Sequence, residues 1–268
     1  MNEKNMFEHN RAAWNQALKY HQKARNNSLQ IGFENPHFTT LDRDCDEVLM
    51  SKLNTIDFDG KTISQMPCNN GRELLSLMKF GAKEAIGFDI SDTAISEAEQ
   101  LAKIANLNAK FERTNILEIG DQFNNYFDFI YISEGSLQWF PDLNDYFNVV
   151  SRLLKKGGQI LIFEIHPFAY FFENGFDFEK QNFEKLTSYF KKGPYNCPTG
   201  LDYVGGAEYE SNECFWFMHK MSDIISAVLQ AGIEIQEFEE YNLEMANSET
   251  VKTLEKFPLS YILIGRKK

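Results

Sequence analysis

Short apolar runs alternate with helical patterns through most of this chain. The runs Thr62–Met66, Ala85–Asp89, Ala109–Arg113, Phe127–Ser133 and Gln159–Ile165 read as strands. Between them the apolar spacing predicts helices over Gly71–Phe80, Asp92–Ala105 and Asp142–Leu154. Near-continuous apolar strands alternating with helices imply a parallel sheet covered on both faces. Upstream, Phe7 to Arg25 forms an amphipathic pattern with Phe7, Trp14, Leu18 and His21 near one face. A polar loop, NNSLQIGFENPHF, follows, and a second helix is expected over Asp44–Leu53. From His166 to about Phe215 the rhythm breaks into an aromatic-rich stretch, predicted to be a folded insertion with short strands and turns. Regular texture resumes with a helix at Ser222–Ala231 and strands at Glu234–Glu240 and Leu259–Gly265.

Composition narrows the class. Hydrophobic content of 43% suits a globular core, and no apolar run approaches the ~18 residues of a membrane helix. The N-terminal residues show no basic start followed by an apolar stretch, so no signal peptide is expected. The four cysteines form no CxxC pair, which argues against a zinc or disulfide framework and for a reducing, cytoplasmic setting. A net charge of −12 disfavours a nucleic-acid or membrane-surface partner, since phosphate neutralisation needs the opposite balance. The five histidines are dispersed, so no metal cluster is expected, and no Gly-x-Ser-x-Gly elbow supports a hydrolase.

Candidate chemistry lies at the strand ends, where open α/β sheets bind ligands. The first strand runs into Pro67-Cys68-Asn69-Asn70-Gly71. Such a turn needs left-handed backbone, which glycine adopts freely and asparagine adopts next most readily. Asn69 and Asn70 can stand in for glycines there, and an ordinary strand-to-helix turn is the plain alternative. Asp89, with Ile90 after it, ends the next strand 18 residues after Gly71 (89 − 71), close to the ~20 expected of a ribose-binding acid. Asn115 and Ile116 follow the third strand, where an amide can read an adenine edge and an apolar side chain can pack on the ring. A turn asparagine reads almost as well. The fourth strand runs out at Ser133-Glu134, close to where reacting atoms would sit. A dinucleotide is excluded by the missing Gly-x-Gly-x-x-Gly and by Glu73, which would set negative charge beside phosphates.

Together these pieces resemble the class I S-adenosylmethionine-dependent methyltransferases. In that family the first loop reads acid-x-Gly-x-Gly-x-Gly, and here it reads Gln65 to Gly71. LLKKGGQILIFEIHP, Leu153–Pro167, is similar to the family's helix, Gly-Gly turn and fifth strand. More narrowly, RAAWN, CNNGRE, EGSLQWFPDL and PLSYILIG resemble bacterial methyltransferases of unassigned substrate. The resemblance spans about Leu41–Pro167 and resumes near Trp216. Two departures stand out: Gln65 replaces the acid that helps hold the cofactor's amino-acid end, and Pro67 and Asn69 replace common glycines.

The resemblance implies a Rossmann-like seven-stranded, mostly parallel sheet with helices on both faces and the last strand antiparallel. Residues 1–40 would form an N-terminal helical cap on a methyltransferase domain over 41–268, with an insertion or lid at about 167–215. The cofactor would be S-adenosylmethionine, leaving as S-adenosylhomocysteine, held by Gln65, Pro67, Cys68, Asn69, Asn70, Gly71, Asp89, Ile90, Asn115, Ile116, Ser133 and Glu134. Trp14, His21, Trp139, Tyr203 and Tyr209 are candidates for the acceptor side, and His166 and His219 for a general base. A small-molecule acceptor is expected. A tRNA or protein methyltransferase, or a cofactor-binding but inactive domain, stands as the alternative. The sequence carries no signal of oligomeric state.

Overall fold

The computed structural model describes residues 3–41, 47–172, 180–243 and 256–268. Five strands are parallel and run β1 (Thr62–Gln65), β2 (Glu84–Asp89), β3 (Ala109–Arg113), β4 (Phe127–Ile132) and β5 (Leu154–Ile165). A C-terminal hairpin, β6 (Ile233–Tyr241) and β7 (Ser260–Lys267), completes the sheet in the order β3-β2-β1-β4-β5-β7-β6. Because β7 is antiparallel to both neighbours, β6 runs with the first five. The chain reverses direction across the sheet between β1 and β4, so their C-terminal tips flank the crevice where ligands of such sheets bind.

Alternation along the buried strands divides the core. In β4, Ile130 and Ile132 face one side while Phe129 and Tyr131 face the other. The first side packs on α6 (Leu143–Leu153) and α7 (Met221–Gln230) through Tyr146, Phe147, Val150, Ile224 and Val228. The second packs on α4 (Arg72–Met78) and α5 (Asp92–Ala105) through Leu74, Leu77, Ile95, Ala98 and Leu101. Each fully buried Leu, Ile or Phe contributes roughly 1.5–3 kcal/mol, so both helical layers are held firmly to the sheet. Local chemistry fixes the helix starts. Ser91 Oγ accepts from Ala94 N–H at 3.1 Å to cap α5, and Asp142 accepts from Asn144 N–H at 2.8 Å to cap α6.

Outside this frame, α1 (Glu3–Arg25) lies across α5. The segment expected to be a polar loop contains α2 (Ser28–Phe33), which forms because Leu29 and Phe33, four residues apart, both bury. The helix expected from Asp44 is described as α3 (Glu47–Leu53), its first residues lying outside the described ones. Strand β5 begins five residues earlier than its apolar run, at Leu154, which pairs with Phe127 across a bulge. Among the described residues the aromatic insertion holds no named strand. It has the short 3-10 turns Ala169–Phe172 and Phe183–Lys185 and a single bridge, Tyr195 with Trp216. No helix among the described residues is long and apolar enough to cross a membrane.

Candidate active site

The β1–α4 connection is shaped by two left-handed residues, Asn69 at φ 48° and Gly71 at φ 73°. Only glycine fits at 71: a Cβ would lie 2.5 Å from the Phe111 ring and 2.9 Å from Ala98 Cβ. The loop is tied to the next strand by Cys68 N–H, which donates to Phe88 O at 2.8 Å. Asn69 N–H then donates to Asp89 Oδ2 at 2.8 Å, and Ser91 N–H donates to Asp89 Oδ1 at 2.9 Å. Asp89 is 7% exposed, and burial lifts its pKa to about 6 against the opposing pull of those backbone donors. Burial likewise pushes the Cys68 thiol well up, keeping it protonated.

The tips of β1, β2, β3 and β4 converge on one cavity of about 340 Å³. Pro67, Cys68, Asn69, Asn70, Asp89, Ile90, Asn115, Ile116, Ser133 and Glu134 all line it. Asn115 shapes its own loop, with Oδ1 accepting from Leu117 N–H at 3.2 Å. The β4 tip is held from below by Glu164. That carboxylate is 4% exposed and accepts from the backbone N–H groups of Gly135, Ser136, Leu137 and Ile165. Burial raises its pKa to about 7 despite the four donors.

The other half of the cavity is aromatic. Phe7, Trp14 and Leu18 of α1 face Trp139, Phe140, Leu201 and Tyr203 across it. Trp14 meets Trp139 edge-on, with ring centroids 5.3 Å apart, a favourable arrangement for two large rings. Helix α1 is clasped over the cavity at both ends of this contact. Arg11 donates to both Asp92 oxygens at 2.7 and 3.0 Å, and Asn15 bridges Asp92, Ser91 and Thr93. On the other side, Asn10 spends both ends of its amide on the Phe215 backbone.

Several expected residues lie outside the cavity wall. Gln65 and Gly71 sit one layer behind it, as parts of the frame. His21 is fully buried, its Nε2–H donating to Leu201 O at 2.9 Å, and burial lowers its pKa to about 4. It supports Tyr203, 4.6 Å away between ring centroids. Tyr209 stacks on Tyr20 at 4.2 Å and accepts from Leu201 N–H. His219 donates to Phe140 O at 2.9 Å and is also lowered to about 4 by burial. His166 pairs with Glu240 at 2.9 Å, and its Nδ1 accepts from Phe168 N–H. None of the three imidazoles lines the cavity. Of the aromatic insertion, Leu201 and Tyr203 reach it, whereas Phe168, Phe171 and Phe172 form a separate cluster with Phe257 and Leu259.

Sequence reasoning passed over Asn10, Arg72 and Gln138 and took Glu73 only as a charge unfavourable to phosphates, yet all four are on the wall. For Glu73 a signal existed: an acid two residues after the loop glycine, in a chain whose usual acid position holds Gln65.

Strand order 3-2-1-4-5-7-6, with a carboxylate at the β2 tip and a cavity over the β1–β4 crevice, defines a Rossmann-like methyltransferase architecture. A family model described as a methyltransferase domain matches residues 57–232, and the chain belongs to that family. Its fold is shared with a Mesorhizobium loti S-adenosylmethionine-dependent methyltransferase (17% identity, TM-score 0.62, covering 85% of this chain and all of that one). A candidate S-adenosylmethionine-dependent methyltransferase from Listeria monocytogenes is similar to the same degree (18% identity, TM-score 0.62, 81% and 97% covered). Geranyl diphosphate C-methyltransferase from Streptomyces coelicolor, solved with Mg2+, geranyl diphosphate and S-adenosylhomocysteine, shares the fold at 13% identity and TM-score 0.53, with 82% and 77% covered. An uncharacterised protein of Methanocaldococcus jannaschii is 33% identical over 69 residues, so the chain spans about a third of that relative's length (32%) and 26% of its own.

Proposed function

We propose that the chain binds S-adenosylmethionine at the four strand tips and transfers its methyl group to a small molecule held under α1. The observation that carries this reading is the convergence on one cavity of Asn69, Asp89, Asn115 and Ser133 from four successive strand ends. The residues present fit the cofactor. Asp89 offers a carboxylate to the ribose hydroxyls, Ile90 and Ile116 offer apolar flanks to the base, and the 67–73 loop borders the amino-acid end. Bound there, the cofactor supplies a methyl group already activated by a sulfonium.

The protein then has to orient and to exclude water. Orientation alone can contribute ~7–11 kcal/mol to such a displacement. Trp14, Trp139, Phe140 and Tyr203 form aromatic walls on the acceptor side, and shielding the site from water favours a reaction that neutralises charge. With every imidazole outside the cavity, the reading needs no histidine base; Glu134 and Tyr203 are the ionisable groups on the acceptor side. A cavity of about 340 Å³ lies at the small end of the ~300–1,000 Å³ of ligand sites, which favours a small acceptor. The net charge of −12 argues in the same direction. Residues 1–40 act in this reading as a cap, through α1.

Calorimetric titration with S-adenosylmethionine and S-adenosylhomocysteine tests it. Micromolar binding is expected, weakened at least ~tenfold by Asp89→Ala, since lost charge-assisted bonds exceed ~1.4 kcal/mol. Wild-type protein that binds neither compound overturns the proposal. A metabolite panel, read by mass for products one methyl heavier, then identifies the acceptor.

A further inference from the structure

We infer that Glu73 receives the ammonium of the cofactor's amino-acid end, and that Gln65 is an amide because the carboxylate of the site has moved to Glu73. This rests on the cofactor reading above and goes beyond it, because the methyltransferase pattern places that acid at position 65.

The geometry is an exchange of acid and amide across one hydrogen bond. Gln65 is 1% exposed and lies behind the cavity wall, with Nε2 donating to Glu73 Oε2 at 2.7 Å and to Ser133 Oγ at 2.9 Å. Glu73, in the first turn of α4, stands on the wall. An acid at 65 would bring two carboxylates to 2.7 Å, and like charges that close do not both ionise. The amide removes the conflict. It also fixes the Glu73 side chain from behind, using one carboxylate oxygen. The other, Oε1, is ion-paired with Arg72 Nη2 at 3.7 Å, a contact longer than a hydrogen bond.

A second observation points to the same ligand. Asn70 lines the cavity at 1% exposure, and its Nδ2 has no hydrogen-bond partner. A buried donor left unmade is rare enough to need an explanation. An amide donor at 70, in the loop, and a carboxylate at 73, in the helical turn that follows, are complementary to an α-amino acid: the donor for its carboxylate, the acid for its ammonium. Gln65 Oε1 also lacks a partner but belongs to the layer behind the wall.

Calorimetry with three probes tests the assignment: S-adenosylhomocysteine, its deaminated analogue, and 5′-methylthioadenosine, which lacks the amino-acid end. Wild type should bind S-adenosylhomocysteine at least ~tenfold more tightly than the deaminated analogue. Glu73→Gln should weaken S-adenosylhomocysteine at least ~tenfold while changing the other two by less than ~twofold. The double variant Gln65→Glu/Glu73→Gln, which returns the acid to the pattern's position, should recover part of the loss. Equal wild-type affinity for S-adenosylhomocysteine and its deaminated analogue overturns the inference, and needs no variant to fold. So does an unchanged affinity in Glu73→Gln, or an equal loss for all three probes. Wild-type protein that binds none of the three sinks the cofactor reading itself, a separate result.

Discussion

Asp89 accepts a hydrogen bond from the Asn69 backbone N–H at 2.8 Å, so the tip of β2 is fastened to the loop that leaves β1. Asn69 itself adopts φ 48°, the left-handed backbone that asparagine tolerates. With Ser91 N–H on the other oxygen, the carboxylate is fixed in place before any ligand arrives. Burial holds its pKa at about 6, and the ionised form is by far the stronger acceptor on both oxygens. Cofactor affinity should therefore fall as pH drops through about 6. In Asp89→Asn the amide must face one of these N–H groups with its own donor, so binding should be at least ~tenfold weaker and lack that inflection. Calorimetry between about pH 5 and 8 checks both statements. An inflection that persists in the variant would assign the titration elsewhere.

The clasp on α1 leads to a second expectation. Asn15 makes three bonds to the start of α5: Nδ2 donates to Asp92, and Oδ1 accepts from Ser91 Oγ and Thr93 N–H. The same helix carries Phe7, Trp14 and Leu18 over the cavity. Asn15→Ala should leave the sheet intact and loosen the helix, because these bonds are worth roughly 1 kcal/mol net each and are partly solvated. Amide exchange in α1 should speed up and cofactor dissociation should quicken by roughly three- to tenfold. Stopped-flow displacement and hydrogen exchange by mass spectrometry read the two effects. Faster exchange with an unchanged off-rate would mean that α1 does not gate the cofactor.

Two glycines separate backbone strain from crowding. Gly71 and Gly157 share left-handed φ values of 73° and 78°, but a Cβ meets the Phe111 ring at 2.5 Å in the first and nothing within 4 Å in the second. Gly157→Ala should cost about 1 kcal/mol from backbone strain alone. Gly71→Ala adds overpacking of about 1–3 kcal/mol in the core beneath the cofactor loop. Urea unfolding should rank the variants in that order, and equal losses would show that Phe111 yields freely.

How much of this was legible beforehand follows from the range of the interactions. The five parallel strands and α5 were readable because their apolar runs and caps are local, and Asn69 declared itself by an intrinsic tolerance of left-handed backbone. Helix α2 was not, since Leu29 and Phe33 bury only against the rest of the domain. The histidines misled for the same reason. A sequence shows that His21, His166 and His219 exist, but not that Leu201 O, Glu240 and Phe140 O have already engaged them. Glu73 was read as a repulsive charge because its partner, Gln65, lies eight positions away (73 − 65) and meets it only in the folded loop.

Glu164 tests how the β4 tip is held. Its pKa is raised to about 7, against roughly 4.3 when unfolded, so the native state binds more protons between those values. The stability it contributes is present below about pH 4.3 and is lost as pH rises through about 7. His21 and His219, lowered to about 4, act in the opposite direction. Their contribution is present above their unfolded pKa of about 6.5 and is lost as pH falls through about 4. In the wild type the opposing slopes partly cancel. Glu164→Gln removes one of them, so stability should rise more steeply between about pH 5 and 7 than in wild type, by roughly 1–2 kcal/mol over the interval. The amide also turns a donor toward the N–H groups of Gly135–Leu137 or Ile165, which adds a pH-independent loss of about 1–3 kcal/mol. Urea unfolding at three pH values separates the two effects, since one changes the slope and the other the offset. An unchanged slope would mean that Glu164 is already ionised well below neutrality, held by four backbone donors strong enough to outweigh its burial.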